Sequence, residues 1–296
     1  MLVLILLMGV GVTARKTGIT GDISNQHLSK LLTYVLQTAM ILSSVMNVES
    51  SISNLEVLGI IGFSAALYAI LGVFAFIIPI LLRAPKKDYG NFRFITMFGN
   101  VAYVGFPVIA SIYGPEAVFY ASLFNIPFHV LTYSLGVILL TGGKSKKIEL
   151  KKLINAPFAA TVIAVIIFFF RIPVHATIAE ACSLLGSATV PVGMIIIGTS
   201  LGGISPRKLF GDLRVYLFAP IKLIAAPAAV YFALRPFIAS DIILGTAVLL
   251  AGMPVAAIST TLCIEYGRDE SLASKAIFIT TVLSAVSIPL VFYLFL

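Results

Sequence analysis

Apolar residues run along this chain in long unbroken stretches instead of alternating with polar ones, and Val57 to Leu82 carries no charged residue at all. A membrane-crossing helix needs about 20 apolar residues, with a range of about 17–25. A barrel strand would show about ten residues of alternating character. The pattern therefore predicts helices, and it predicts ten spans: 1–14, 28–47, 57–82, 94–113, 116–142, 153–170, 177–203, 209–234, 242–264 and 272–296. The first is short, climbing only about 21 Å at 1.5 Å per residue. Either it crosses part of the bilayer or the chain starts further upstream. A cleaved signal peptide fits less well, because nothing basic precedes the apolar run. The connections are short, and no soluble domain fits between spans.

Composition agrees with this class. Of 296 residues, 59% are hydrophobic and 11% charged, against about 45–50% and about 25% in soluble domains. So few charges cannot cover a water-facing surface, and so much apolar character excludes disorder. The net charge of +8 reports loop topology in such a chain, not nucleic-acid binding. Cys182 and Cys263 lie 81 positions apart in apolar segments, a spacing that offers neither a zinc site nor a disulfide framework. No cofactor is expected.

The basic residues orient the spans. Counting each loop with its flanking turns, 17 of the 20 Lys and Arg follow odd-numbered spans, and only Arg171 and Arg235 follow even-numbered ones. Positive charge marks the cytoplasmic side, so both termini are expected outside the cytoplasm, in a multi-pass inner-membrane protein. The most basic connection, 143–152, divides the chain into 1–142 and 153–296. Each part holds five spans. Five is odd, so the second part enters the membrane inverted relative to the first, as in the inverted repeats of secondary transporters. A weak echo at an offset of 153 supports this: Tyr113-Gly114 falls on Tyr266-Gly267, Gly99 on Gly252 and Ser134 on Ser287.

The fourth span contains Phe98-Gly99-Asn100 and then Gly105-Phe106-Pro107; the ninth contains Gly252-Met253-Pro254. Proline removes a helix hydrogen bond and clashes with the preceding turn. Freed backbone groups cannot face lipid. The spacing predicts broken helices near Gly99–Asn100 and Gly252–Pro254, crossing in mid-membrane. The half-helix N-termini there would present partial positive charge to an anion such as a carboxylate. The alternative is an ordinary proline kink in each.

Polar residues inside spans are costly and often functional. Asn125 and His129, four apart in the fifth span, fall on one face of a continuous helix. Asn125 suits a substrate carboxylate or helix–helix hydrogen bonding. His129 suits a coupling proton or a neutral interior role. Gln37 and Thr38 lie at mid-depth in the second span, Ser187 in the seventh, and Thr260 just after the ninth-span break. Lys222, inside the eighth span, has two readings: it offsets substrate charge, or it snorkels to the membrane edge.

The stretch from Phe98-Gly99-Asn100 to Gly105-Phe106-Pro107, with Tyr113-Gly114 after it, resembles the fourth helix of the auxin efflux carrier family. So do Met253-Pro254-Val255, Glu265-Tyr266-Gly267 and the tail from Thr280-Thr281 to Pro289, while Asn155-Ala156-Pro157 resembles the family's start of the second half. The resemblance spans nearly the whole chain. It implies an all-α membrane carrier of ten transmembrane helices in two inverted five-helix repeats, with a scaffold part, a transport part and a substrate site where broken helices 4 and 9 cross. Plant members export the auxin anion, and bacterial members are linked to malate, malonate and related carboxylates. The family's crossover asparagine falls on Asn100 and its prolines on Pro107 and Pro254. A substrate-contacting residue of the fifth helix falls at or near Asn125. The long central loop of plant members is absent, which suits a prokaryotic protein. The Asp and Lys of their third helix are also absent. Bile-acid-type sodium symporters share the architecture, but the sequence shows no strong sodium-ligand pattern.

The expected activity is secondary active transport of a small organic anion, a mono- or dicarboxylate, by alternating access. The candidate site comprises Gly99, Asn100, Tyr103, Pro107, Asn125, Thr38, Ser187, Met253, Pro254 and Thr260. His129 is the proton-coupling candidate, and no metal site is expected. The expected partners are the anion, membrane lipid and a coupling proton or sodium; the resemblance is compatible with a homodimer. A sodium-coupled symporter, or a receptor or channel on the same fold, is the rival reading. An intramembrane enzyme would need paired aspartates or a Ser–His pair at one depth, and the spans hold no mid-membrane aspartate.

Overall fold

The protein is represented by a computed structural model that describes residues 2–46, 54–142, 155–203, 212–268 and 270–296. The basic linker expected at 143–152 lies outside the described residues, as do Arg207 and Lys208.

The described helices run in order as α1 (Leu2–Lys16), α2 (Asp22–Met46), α3 (Asn54–Leu81), α4 (Tyr89–Met97), α5 (Val101–Tyr113), α6 (Ala117–Thr141), α7 (Ala156–Phe170), α8 (Ala176–Gly202), α9 (Leu213–Leu234), α10 (Asp241–Ala251), α11 (Ile258–Glu265) and α12 (Glu270–Phe295). Among the described residues, six of these, α2, α3, α6, α8, α9 and α12, are long and apolar enough to cross a membrane. The fourth and ninth apolar segments each yield two shorter helices, α4 with α5 and α10 with α11. Large apolar side chains such as Leu55, Phe170, Val286 and Tyr293 point outward. In a membrane they face lipid, so their exposure costs nothing.

Sequence signals explain several helix ends. Asn155 caps α7 by accepting a hydrogen bond from the Phe158 N–H at 3.0 Å, and Pro157 in the first turn gives up a donor that has no partner there anyway. Ser240 caps α10 through the Ile243 N–H. Elsewhere the helices are irregular. Wider π-type turns occur at Leu32–Leu36, Val101–Gly105, Thr132–Gly136 and Ile221–Ala225, and such turns collect at functional sites.

The helix α6 departs from expectation. The chain turns at Asn125, between Ala117–Phe124 and Ile126–Leu131. Pro127 has no N–H to give the carbonyl of Leu123, so the ladder is interrupted there. Asn125 keeps helical dihedrals at this turn, and Asn125 and His129 on either side of Pro127 are both buried.

The chain folds into two compact units. The first takes Met1–Ile61, Ala102–Ile126 and Ile154–Ser205; the second takes Gly62–Val101, Pro127–Leu153 and Pro206–Leu296. Each draws on both sides of the chain midpoint.

In the first unit α1 lies backbone to backbone on the C-terminal half of α8. A Cβ built on Gly11 would strike the Ile195 carbonyl oxygen, and one on Gly198 would strike that of Met8. Without a hydrophobic drive between helices in lipid, close approach through small residues supplies the packing energy. Polar contacts tie α8 to α1 and to α2. Thr199 Oγ1 donates to Gly11 O at 3.4 Å, and Asn25 Nδ2 donates to Ser200 Oγ at 2.9 Å.

In the second unit the core is aromatic. Phe98 packs at 4.7 Å from Phe94 and at 5.7 Å, edge to face, from Phe128. The Arg93 guanidinium lies over the Phe76 ring at 4.5 Å.

Candidate functional site

The second unit holds both helix breaks, and they meet. The helix α4 stops at Met97, where Phe98 turns extended, and α10 stops at Ala251. Gly99 and Val255 then pair as an isolated antiparallel bridge. The Asn100 N–H donates to Pro254 O at 2.7 Å, and the Ala256 N–H donates to Phe98 O at 3.0 Å. Proline suits this register, because only its carbonyl is used. Glycine at 99 permits the close approach: a Cβ there would sit 3.1 Å from Met253 Cβ, a tight contact. Gly252 is equally confined, its Cβ position lying 3.2 Å from Pro227 Cγ. Gly99, Asn100, Met253 and Pro254 are all buried, and the structure brings these four candidate residues together.

The sequence pattern predicts free backbone donors at the breaks. The structure pairs several of them internally. Besides Asn100 and Ala256, the Val101 N–H donates to Gly99 O at 2.9 Å, and the Val255 N–H donates to Thr280 Oγ1 at 3.0 Å. The positive N-terminal ends of α5 and α11 remain at the breaks, but the crossing strands themselves are largely saturated.

The C-terminal ends are held by a residue whose role the sequence left open. Lys222 is fully buried at 0% exposure. Its Nζ donates to Thr96 O at 2.9 Å and to Ala251 O at 3.2 Å. These are carbonyls at the last turns of α4 and α10. The side chain does not snorkel. It stands on the π-type turn Ile221–Ala225, between Pro220 and Pro227, so the helix is distorted where the ammonium enters. Thr280 is the second participant outside the candidate set. Its sequence signal is its place in the Thr280-Thr281 to Pro289 tail, one of several polar residues of α12.

Thr260 is half-buried on α11 and donates to Ala257 O at 3.0 Å. His129 is buried beside Phe128, edge to face at 5.7 Å. Phe128 in turn packs on Phe98 at the first break.

The other candidates belong to the first unit. Tyr103 Oη lies 3.3 Å from Thr33 Oγ1. Tyr103 and Pro107 close on Gly193, whose Cβ position is 3.2 Å from Tyr103 O and 3.6 Å from Pro107 Cγ. Thr38 Oγ1 donates to Thr33 O, within its own helix. Asn125 is buried at the break in α6. Ser187 lines a cavity of about 390 Å³ together with Ser43, Ser44, Ser111, Glu116 and Ser183.

An all-helical apolar chain with two broken helices paired inside it is the architecture of a membrane transporter. Comparison with known proteins agrees. A family model described as a membrane transport protein matches residues 1–150 and 144–292. The chain is 28% identical, over 98% of its length and 94% of the other's, to an uncharacterized transporter of Methanothermobacter thermautotrophicus. It is 24% identical, over 98% and 96%, to an uncharacterized transporter of Methanocaldococcus jannaschii. The chain belongs to the membrane transport protein family, that of the auxin efflux carriers, and is a transporter, not an enzyme.

Proposed function

We propose that this protein is a secondary carrier of a small organic anion, a mono- or dicarboxylate, bound at the crossover and moved by alternating access. The observation that carries the reading is the buried antiparallel pairing of Gly99 with Val255 between two broken helices. Asn100 stands in that pairing and at the N-terminal side of α5, where an amide side chain and a helix dipole both favour a carboxylate. The fully buried Lys222 in the second unit disfavours a cationic cargo there. Gly99, Met253, Pro254 and Thr260 shape the same site, and His129 carries the coupling proton.

The proposed frame is ten spans in two inverted repeats, 1–142 and 153–296, in the cell membrane with both termini outside. Helices α4 with α5, and α10 with α11, each make one broken span. The test is current on a solid-supported membrane from purified protein in liposomes, pulsed with a panel of carboxylates. A saturable current for one class, lost in Asn100→Ala, supports the reading. Counterflow with no saturable exchange of any carboxylate overturns it.

A further inference from the structure

Lys222 presents an arrangement that the anion site does not require. Its ammonium touches two main-chain carbonyls from two different helices, Thr96 O at 2.9 Å and Ala251 O at 3.2 Å. Those helices, α4 and α10, both end at the crossover. Each helix C-terminus carries about half a negative charge, so the two ends together present about one. A buried ammonium without compensation is prohibitively costly. Here the compensation comes from the helix ends themselves, since both acceptors are carbonyls and not carboxylates.

In carriers with broken helices, unwound carbonyls and half-helix C-terminal ends are the groups that coordinate a coupling metal cation. Hard alkali cations take such oxygens at short range, and two carbonyls converging from separate helices are the start of a cation site. In this protein the position is filled by a covalently attached charge. Pro220 and Pro227 bracket it, and Pro227 packs on Gly252 at the second break. The ammonium is therefore delivered from a helix that also braces the crossover.

We propose that Lys222 is the resident cation of the crossover: it binds the negative ends of α4 and α10 together and takes the place that a co-transported alkali cation would occupy. It is a positioning residue, acting on the anion site through the two breaks. The carrier then needs no sodium to assemble its crossover. This inference rests on the carrier reading for its consequence but not for its test, because the test uses no substrate.

The experiment is hydrogen exchange on the purified protein, paired with thermal unfolding in sodium chloride and in choline chloride. In wild type the amides of Asn100, Val255 and Ala256 are protected equally in both salts. In Lys222→Met they exchange at least about tenfold faster, while amides of α8 in the first unit are unchanged. Lys222→Gln restores oxygen-donor capacity without charge. It should gain a sodium-dependent rise in unfolding temperature that wild type lacks, and Lys222→Arg should retain protection in choline. If Lys222→Met cannot be purified folded, the Gln and Arg variants decide the matter. Unchanged protection at Asn100 and Ala256 in the Met variant, or in the Gln variant in choline chloride, overturns the proposal. So does sodium-specific stabilisation of wild type at these same amides. Failure of every carboxylate in the transport assay would sink the anion reading and leave this result standing.

Discussion

The N–H of Val255 donates to Thr280 Oγ1 at 3.0 Å, and the same hydroxyl donates to Ala276 O at 2.6 Å, one turn back in α12. A single threonine thus anchors the second broken helix to an unbroken one. Both residues are buried.

Thr280→Val keeps the shape and removes the acceptor. The Val255 N–H is then stranded, at a cost of about 1–3 kcal/mol. Thermal unfolding of Thr280→Val should fall accordingly, whereas Thr280→Ser should stay near wild type. Equal unfolding temperatures for Val and wild type would mean that the hydroxyl does not hold this strand.

Asn100→Ala removes the side chain and leaves the backbone bond to Pro254 in place, since the donor is the main-chain N–H. The variant should fold normally and lose transport by roughly ten- to a hundredfold, the worth of about 1.5–3 kcal/mol for a hydrogen bond to a charged group. Circular dichroism alongside uptake checks both halves of the statement. Wild-type uptake would remove Asn100 from the site.

Two glycines of the first unit separate packing from mere composition. Gly198→Val drives a side chain into the Met8 carbonyl, where only backbone is available to yield. Overpacking of this kind costs about 1–3 kcal/mol or more. Gly9→Ala meets nothing within 4 Å, so it should be neutral or slightly stabilising by helix propensity. Unfolding temperatures of the two variants, measured in the same detergent, should diverge clearly.

His129→Phe tests the coupling proton. Uptake of the transported anion in wild type should depend on pH if the imidazole carries the proton. The variant should lose that variation while remaining folded, because the site is already aromatic, with Phe128 and Phe98 in line. A pH profile of the same shape in both proteins would make His129 structural.

Much of this fold is written in local sequence. Pro254, with Gly99 and Gly252, marks where a helix cannot continue, and the structure breaks at Phe98–Asn100 and Gly252–Ala257; Pro107 is carried inside α5. Asn155 before a proline marks a helix start, and the described helices end within a few residues of the apolar runs. What local sequence could not convey is which partners meet. The fate of Lys222 depends on carbonyls 126 and 29 positions away, and a single apolar span gives no sign of them. Snorkelling and burial look alike until those helix ends are in place. Thr280 is similar, lying 25 positions from the amide that it satisfies. Pro127, which has no N–H, is the sequence signal for the turn at Asn125 within α6.

The paired breaks also limit how a transport cycle can proceed. Drawing the strands apart would strand the Asn100 and Ala256 amides and the Phe98 and Pro254 carbonyls in hydrocarbon, at several kcal/mol for each group. A displacement that conveys both interrupted helices as one riveted piece keeps all four groups paired, the joint at Gly99 and Val255 riding with the motion instead of opening to make it.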